Sequence, residues 1–373
     1  MAEVRFQGVT KRYGDLEAVS EMSWTADQGE FLVLFGPAGA GKTTTLKLIA
    51  GLEKPDEGDI LFDSQSIREV DTPDRNVAMA FENYALYPHM SVFDNIAFPM
   101  LVPGRIKYSK EEIARRVSEV ASVLQIDMLL DRMPQQLSGG QRQRVALGRC
   151  LVREPVVFLL DEPIAHLDAK LRHRMYAELK RIMRARGTTA LYATPAQTEA
   201  MAMADRIVVI FKGKVQQIGS ARDLYERPAN VDVAKFGGEQ TMNILPAQLV
   251  SEKGELWVGL DGGRVPVASQ GQSTLRSSEL EGEVLLGIRP PDIECNRAQV
   301  DGALAGTVYT TEHLGRTTLV TVEVGQRLIE VVSDCLDDAA VGMPIWLSFE
   351  GGRLYIFDKT TSELVVALSL IHI

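Results

Sequence analysis

Apolar residues fall into two rhythms along this chain, and the change between them marks its organisation. Up to about residue 235, short continuous apolar runs alternate with stretches of helical spacing. Phe31–Phe35 and the runs at 156–160 and 207–211 have the texture of strands buried on both faces of a parallel sheet. Between them, Ile113, Val117, Val120 and Leu124 recur at helical spacing across 111–125, as do Leu171, Met175, Leu179 and Ile182 across 170–183. Strands alternating with helices predict an α/β domain over 1–235, with its ligand at the carboxyl ends of the strands. Beyond Arg227-Pro228, from about Phe236, the chain becomes short apolar runs separated by glycine turns, at 256–258, 284–288, 317–324, 328–332, 345–349 and 354–357. This spacing predicts a small all-β, OB-like barrel domain over 236–367.

The segment after the first of these strands carries the chemistry. Gly36, Pro37, Ala38, Gly39, Ala40, Gly41, Lys42, Thr43 and Thr44 fit the phosphate-loop pattern, with a strand before them and a helical run over 43–50 behind. Gly36, Gly39 and Gly41 permit backbone angles that turn N–H groups inward on phosphate oxygens. The helix start adds its positive dipole end. Lys42 is placed to reach the β- and γ-phosphates of ATP, and the Thr43 hydroxyl to ligate Mg²⁺. Phosphoryl transfer also requires a metal-holding carboxylate and a group that orients water. Asp161, ending the 158–160 run, is the candidate for the first, and Glu162 for the second, as general base.

Composition narrows the class. At 373 residues, two or three domains are expected. A net charge of −10 gives no nucleic-acid footprint. Cys150, Cys295 and Cys335 are far apart with no Cys-x-x-Cys pair, which fits a reducing cytosol better than a disulfide or zinc framework. No secretory leader opens the chain, and no apolar run approaches the roughly 20 residues a bilayer requires, so any membrane role needs other chains.

Residues 137–149, Leu-Ser-Gly-Gly-Gln-Arg-Gln-Arg-Val-Ala-Leu-Gly-Arg, resemble the signature of ATP-binding cassette (ABC) ATPases. The resemblance extends through Phe81-Glu82-Asn83-Tyr84-Ala85-Leu86-Tyr87-Pro88-His89-Met90, Leu167-Asp168-Ala169-Lys170-Leu171-Arg172 and Gly287-Ile288-Arg289-Pro290. It is strongest to the ATPase subunits of carbohydrate importers, and it covers nearly the whole chain. It implies an α/β P-loop ABC ATPase domain followed by a regulatory β-barrel. It also implies a dimer of ATPase subunits, in which Ser138, Gly139, Gly140 and Gln141 serve the partner's ATP. Tyr13 would stack on adenine, Asp168 would lie at the nucleotide, and Tyr84–Met90 would receive one of two membrane-spanning permease subunits. An extracytoplasmic solute-binding protein would act indirectly, and the chain would sit at the cytoplasmic face of a bacterial inner membrane.

The chain departs from that family at three places. Pro195 and Ala196 stand where the family has histidine and aspartate, and proline brings neither a side-chain donor nor a backbone N–H. Glu82 replaces a glutamine that approaches Mg²⁺ and the attacking water; a carboxylate still ligates Mg²⁺ but brings negative charge towards a phosphate. Ala165-His166 replaces Ser-Asn, and His166 is read as a surface or interface residue. Loss of one preorganised group costs about 10²–10³ in rate. A site that binds ATP and hydrolyses it slowly, in a heterodimer with a competent paralogue, is therefore expected, against the alternative of an ordinary homodimer. At the level of function, a transport-energising ATPase stands against a regulatory ATP-binding subunit without turnover. DNA-repair and translation ABC proteins are disfavoured by the single cassette and the negative charge. The last six residues, 368–373, resemble the translation of a transposon-end sequencing adapter and are expected to fall outside the second domain.

Overall fold

The computed structural model describes residues 2–102, 108–238, 240–252, 255–260, 263–267, 275, 282–300, 303–334, 336, 338–349 and 353–369. The chain divides into two compact units, Met1–Ala221 and Arg222–Ile373.

In the first unit the elements run β1 (Val4–Tyr13), β2 (Leu16–Ala26), β3 (Phe31–Phe35), α1 (Lys42–Ala50), β4 (Glu57–Phe62), β5 (Gln65–Ser66), β6 (Val77–Ala80), α2 (Val92–Leu101), α3 (Lys110–Val123), α4 (Gly139–Leu151), β7 (Val157–Asp161), α5 (Ala169–Arg186), β8 (Thr189–Thr194), α6 (Gln197–Met203), β9 (Arg206–Phe211) and β10 (Lys214–Gly219). The continuous apolar runs are central strands, as their texture predicted: β3 and β7 are buried at every position and β9 at all but its two ends, and β8, buried throughout, joins them. Burying one such Leu or Phe side chain contributes about 1.5–3 kcal/mol. The central sheet has the order β10-β9-β3-β8-β7-β6, parallel throughout except for β10. A second sheet, β2-β1-β4-β5, is antiparallel throughout.

The helices follow their stripes. Helix α3 buries Ile113, Val117 and Val120 behind an N-cap in which the Ser109 hydroxyl accepts the Glu112 N–H at 3.2 Å. Helix α5 buries Met175, Leu179 and Met183; the expected Leu171, in the first turn, is only half-buried, and so is Ile182, because the stripe drifts one position at its far end.

The second unit holds α7 (Ala221–Glu226, its first residue in the first unit), α8 (Val231–Phe236), β11 (Asn243–Glu252), β12 (Glu255–Leu260), β13 (Gly263–Pro266), β14 (Gly282–Ile288), β15 (Glu294–Asn296), β16 (Leu304–His313), β17 (Thr318–Val324), β18 (Arg327–Ser333), β19 (Pro344–Ser348), β20 (Arg353–Asp358) and β21 (Leu364–Ser369). Two antiparallel sheets, β13-β12-β11-β14-β20-β21 and β15-β19-β16-β17-β18, enclose one apolar core that includes Val258, Leu286, Val320, Val322, Ile345 and Ile356. The unit's strands form an all-β, barrel-like domain, with α7 and α8 ahead of it.

The helices before it were expected in the first domain, up to 235, but 222–236 clusters with the β strands. Val231 and Ala234 pack with Met242, Tyr355 and Phe357. Arg289, buried to 1% exposure, lays its guanidinium 3.8 Å from the Tyr225 ring and donates from Nη2 to the Tyr225 carbonyl at 2.8 Å. Of the suspected tail, Leu368 and Ser369 belong to β21, where Leu368 pairs with Leu354 and is 3% exposed; residues 370–373 lie outside the described residues.

Candidate active site

The parallel strands bring four chain segments to one edge of the central sheet. Side by side stand the end of β3, which opens the phosphate loop; the end of β8, which carries Pro195; the end of β7, which carries Asp161 and Glu162; and the end of β6, which leads to Glu82. The register makes this concrete, with Phe35 opposite Thr194 and Asp161 opposite Ala193.

The loop needs its glycines. A Cβ on Gly36 would stand 2.1 Å from the Ile210 carbonyl oxygen, and one on Gly41, at φ 104°, 2.3 Å from that of Ala18. Gly39 is also left-handed, at φ 75°. Pro37, Ala38 and Gly39 lie towards solvent in a turn closed by the Ala40 N–H on the Pro37 carbonyl at 3.2 Å, and the Ala40 carbonyl accepts the Gly213 N–H at 3.0 Å. Lys42 is buried, its ammonium donating to the carbonyls of Gly36 and Pro37 at 2.8 Å each. Burial lowers its proton affinity, while the carboxylates of Glu162, Asp161 and Glu82 work in the opposite direction. The expected cation and carboxylates thus face one another. Thr43 donates from Oγ1 to Asp161 Oδ1 at 3.1 Å, which joins two of the three expected metal ligands. Half-buried Thr44 lies beside Tyr13 and affects its hydroxyl, as Glu53 does; burial first, then Glu53, holds that hydroxyl above its usual range.

Asp161 and Glu162 both bind protons more readily than free carboxyls. Burial is the main cause in each, Glu82 adds to both, and the Thr43 hydrogen bond opposes the shift at Asp161. A buried carboxylate held in this way, beside a hydroxyl and with further carboxylates at hand, suits a hard divalent cation, which would restore its charged form. Glu162 sits at φ 44°, a left-handed angle costing about 1–3 kcal/mol in a non-glycine residue. Two bonds hold it there: its N–H donates to the Ala193 carbonyl at 3.0 Å, and its carbonyl accepts from Gln143 Nε2 at 3.0 Å.

Ser138 caps α4 in a reciprocal box with Gln141: the Gln141 N–H reaches Ser138 Oγ at 3.3 Å, and the Ser138 N–H reaches Gln141 Oε1 at 2.8 Å. Gly139 and Gly140 form the first turn and are half-buried. Among the described residues no hydrogen bond joins this segment to the phosphate loop of the same chain. Asp168 caps α5, accepting the Leu171 N–H at 2.9 Å.

The segment after Glu82 is held from the signature helix. Tyr84 and Ala85 are both left-handed, at φ 56° and 41°, and Arg149 donates to their carbonyls at 3.1 and 2.9 Å. Tyr87 packs on Phe98 at 4.5 Å, and buried Asn95 takes up the backbone of Tyr87, Met90 and Ser91. Beside this segment lies a groove of about 610 Å³ lined by Phe81, Tyr87, Phe98, Met100, Tyr108 and Arg149 among others. His166 is exposed and meets the Tyr84 ring edge-on at 5.9 Å.

Three residues with evident work here were missed by sequence reasoning. Gln143 and Arg149 lie inside the signature run, whose first residues drew all the attention. Glu199 falls on the buried stripe of α6 with Ala200 and Met203, and a carboxylate in an apolar stripe is itself a signal.

A phosphate cradle and a carboxylate pair at the carboxyl edge of a parallel sheet define a P-loop ATPase. The ABC transporter family profile matches residues 19–165, and a TOBE domain profile matches 286–357. The chain is 44% identical to the trehalose/maltose import ATP-binding protein of Thermococcus litoralis, over 98% of this chain and 100% of that protein. It is 40% identical to the sn-glycerol-3-phosphate import ATP-binding protein of Shigella sonnei, again over 98% and 100%. A solved ATP-binding cassette in a dimeric post-hydrolysis state, bound to ADP and Pi, is 28% identical, with TM-score 0.55, over 58% of this chain and 98% of that one. The chain belongs to the ABC transporter ATP-binding protein family, with an ABC ATPase domain followed by a TOBE domain.

Proposed function

We propose that this chain is the ATP-binding subunit of an importer for a carbohydrate, polyol or glycerol phosphate, and that its own nucleotide site binds ATP but turns it over slowly. The observation that carries this reading is the row of strand ends. An intact cradle, with Lys42 and the Thr43–Asp161 pair, stands directly beside a turn whose central residue, Pro195, offers no donor. Gly36 to Thr44 hold the phosphates, Thr43 and Asp161 hold Mg²⁺ with Glu82 nearby, and Glu162 is the group that orients water. Bound Mg²⁺ neutralises phosphate charge in this chemistry. Tyr13, beside Thr44 at the end of the loop, carries the base.

Exposed Ser138 and half-buried Gly139 to Gln141, whose described side-chain hydrogen bonds close only their own cap, support their use by a second ATPase subunit. We take that subunit to be a paralogue that supplies the competent site. The groove beside Tyr84–Met90 is where a membrane-spanning permease subunit docks, which puts the chain at the cytoplasmic face of the membrane. Among the described residues no helix is long and apolar enough to cross a bilayer. The solute-binding protein acts only through the permeases, and the second unit is regulatory.

The deciding experiment is ATP turnover with ATP binding in parallel, wild type beside the double change Glu82→Gln and Pro195→His. A gain of about 10²-fold or more, with ATP affinity little changed, supports the impaired site. Wild-type turnover already at the restored rate refutes it and leaves an ordinary homodimer.

A further inference from the structure

Beneath the turn that carries Pro195 lies a carboxylate to which none of these roles falls. Glu199, on the first turn of α6, is 3% exposed. Its Oε2 accepts the hydroxyls of Tyr192 at 2.8 Å and Thr194 at 2.7 Å, and its Oε1 accepts that of Tyr176 at 3.3 Å. No ion pair reaches it among the described residues, so hydroxyls alone compensate its buried charge. Burial first, and then Glu199, pushes the Tyr176 hydroxyl up to about 12, and the same two causes, in the same order, hold Tyr192 well above its usual range. Both tyrosines therefore remain donors at any physiological pH.

The consequence runs through Thr194. Its proton is committed to Glu199, which leaves the oxygen free to accept the Ala196 N–H at 3.0 Å. That second bond closes the turn around Pro195. The same strand end lies opposite Phe35, the last residue before the phosphate loop, and the Ala193 carbonyl takes the Glu162 N–H at 3.0 Å. We infer that Glu199 is a positioning residue of the ATPase site, fixing the direction of the Thr194 hydroxyl and with it the course of the Thr194–Ala196 turn between the phosphate loop and the Asp161–Glu162 pair. An amide does not reproduce it. Glutamine would turn an N–H₂ group either on the Tyr192 and Thr194 hydroxyls or on that of Tyr176, and the hydroxyl it meets would have to turn round to accept instead of donate. The turn is therefore a finished mount for a side chain at 195, whatever residue occupies it.

Two arms test this. The turnover arm rests on the reading of Pro195 as the limiting residue; the exchange arm does not. In the Glu82→Gln, Pro195→His background, adding Thr194→Val or Glu199→Gln should lower kcat about 10²-fold, towards the wild-type level, with KM for ATP unchanged within about twofold. Thr194→Ser, which keeps the hydroxyl, should retain the gain. Full gain in the Thr194→Val and Glu199→Gln variants would overturn the inference, and a loss that appears in KM rather than kcat would do the same. If Glu82→Gln with Pro195→His brings no gain, the impaired-site reading falls, and hydrogen exchange at the Ala196 amide decides. In the wild-type background, exchange about tenfold faster in Thr194→Val and Glu199→Gln, but not in Thr194→Ser, upholds the positioning role, and unchanged exchange removes it.

Discussion

The phosphate loop and the Thr194–Ala196 turn lie on adjacent strands of one sheet, yet they are built by different means. The loop works through its backbone: glycines at positions where a Cβ would collide, a lysine folded against two carbonyls, and a hydroxyl meeting Asp161. The turn works through what its residues project, and at 195 it projects a proline ring. Beneath that ring the supporting network of Glu199, Tyr192, Tyr176 and Thr194 is complete. On the proposed reading, holding a nucleotide and turning it over are separable in this fold, the first resting mainly on the loop and the second on side chains such as the one at 195.

Three changes probe that separation, from the largest expected effect to the smallest. Lys42→Ala removes the buried ammonium of the loop, and ATP turnover should fall by about 10²–10³ with ATP binding weakened alongside it. Binding measured by titration calorimetry at wild-type strength would show that the backbone alone holds the phosphates. Tyr13→Ala should weaken ATP binding about tenfold and leave kcat nearly unchanged, since stacking on a base acts equally in ground and transition states. A fall in kcat would place Tyr13 on the turnover side of the comparison. The smallest effect is on pH. Burial and Glu82 raise the proton affinity of Asp161 and Glu162, and a protonated carboxyl does not ligate a metal. Metal-dependent ATP binding should therefore fade on acidification, starting above the usual carboxylate range. Glu82→Gln removes one raising charge, so this acid limb should move to lower pH, as read from thermal shifts with Mg²⁺ and ATP across a pH series. A limb that stays in place would mean that Glu82 does not act on the pair.

The two units also differ in how much of them the sequence disclosed. Strands β3, β7 and β9 announced themselves as continuous apolar runs, and the phosphate loop is a local pattern with a local cause. The row of four strand ends is not local. It depends on the order β3-β8-β7-β6, which no run of residues encodes by itself, so Glu82 and Pro195 were placed near the nucleotide only by resemblance. Strand β16 escaped notice because only Leu304 and Val308 of its residues point into the core, with Gly306 and a polar end between and after them. Helices α7 and α8 have six residues each, too few to show a period. Glu199 was visible as a charge in an apolar stripe, but its meaning required the three hydroxyls that only the fold assembles.

The sandwich around Arg289 bears on where the chain can be divided. A second unit begun at Phe236, as the change of texture suggests, would lose the Tyr225 ring that covers the guanidinium and the carbonyl that takes its Nη2 proton. It would also lose Val231 and Ala234 from the small cluster around Tyr355 and Phe357. A cation meant for the interior would then stand at a raw surface beside exposed aromatic rings, an invitation to self-association. Cut before Arg222, the same fragment keeps its lid.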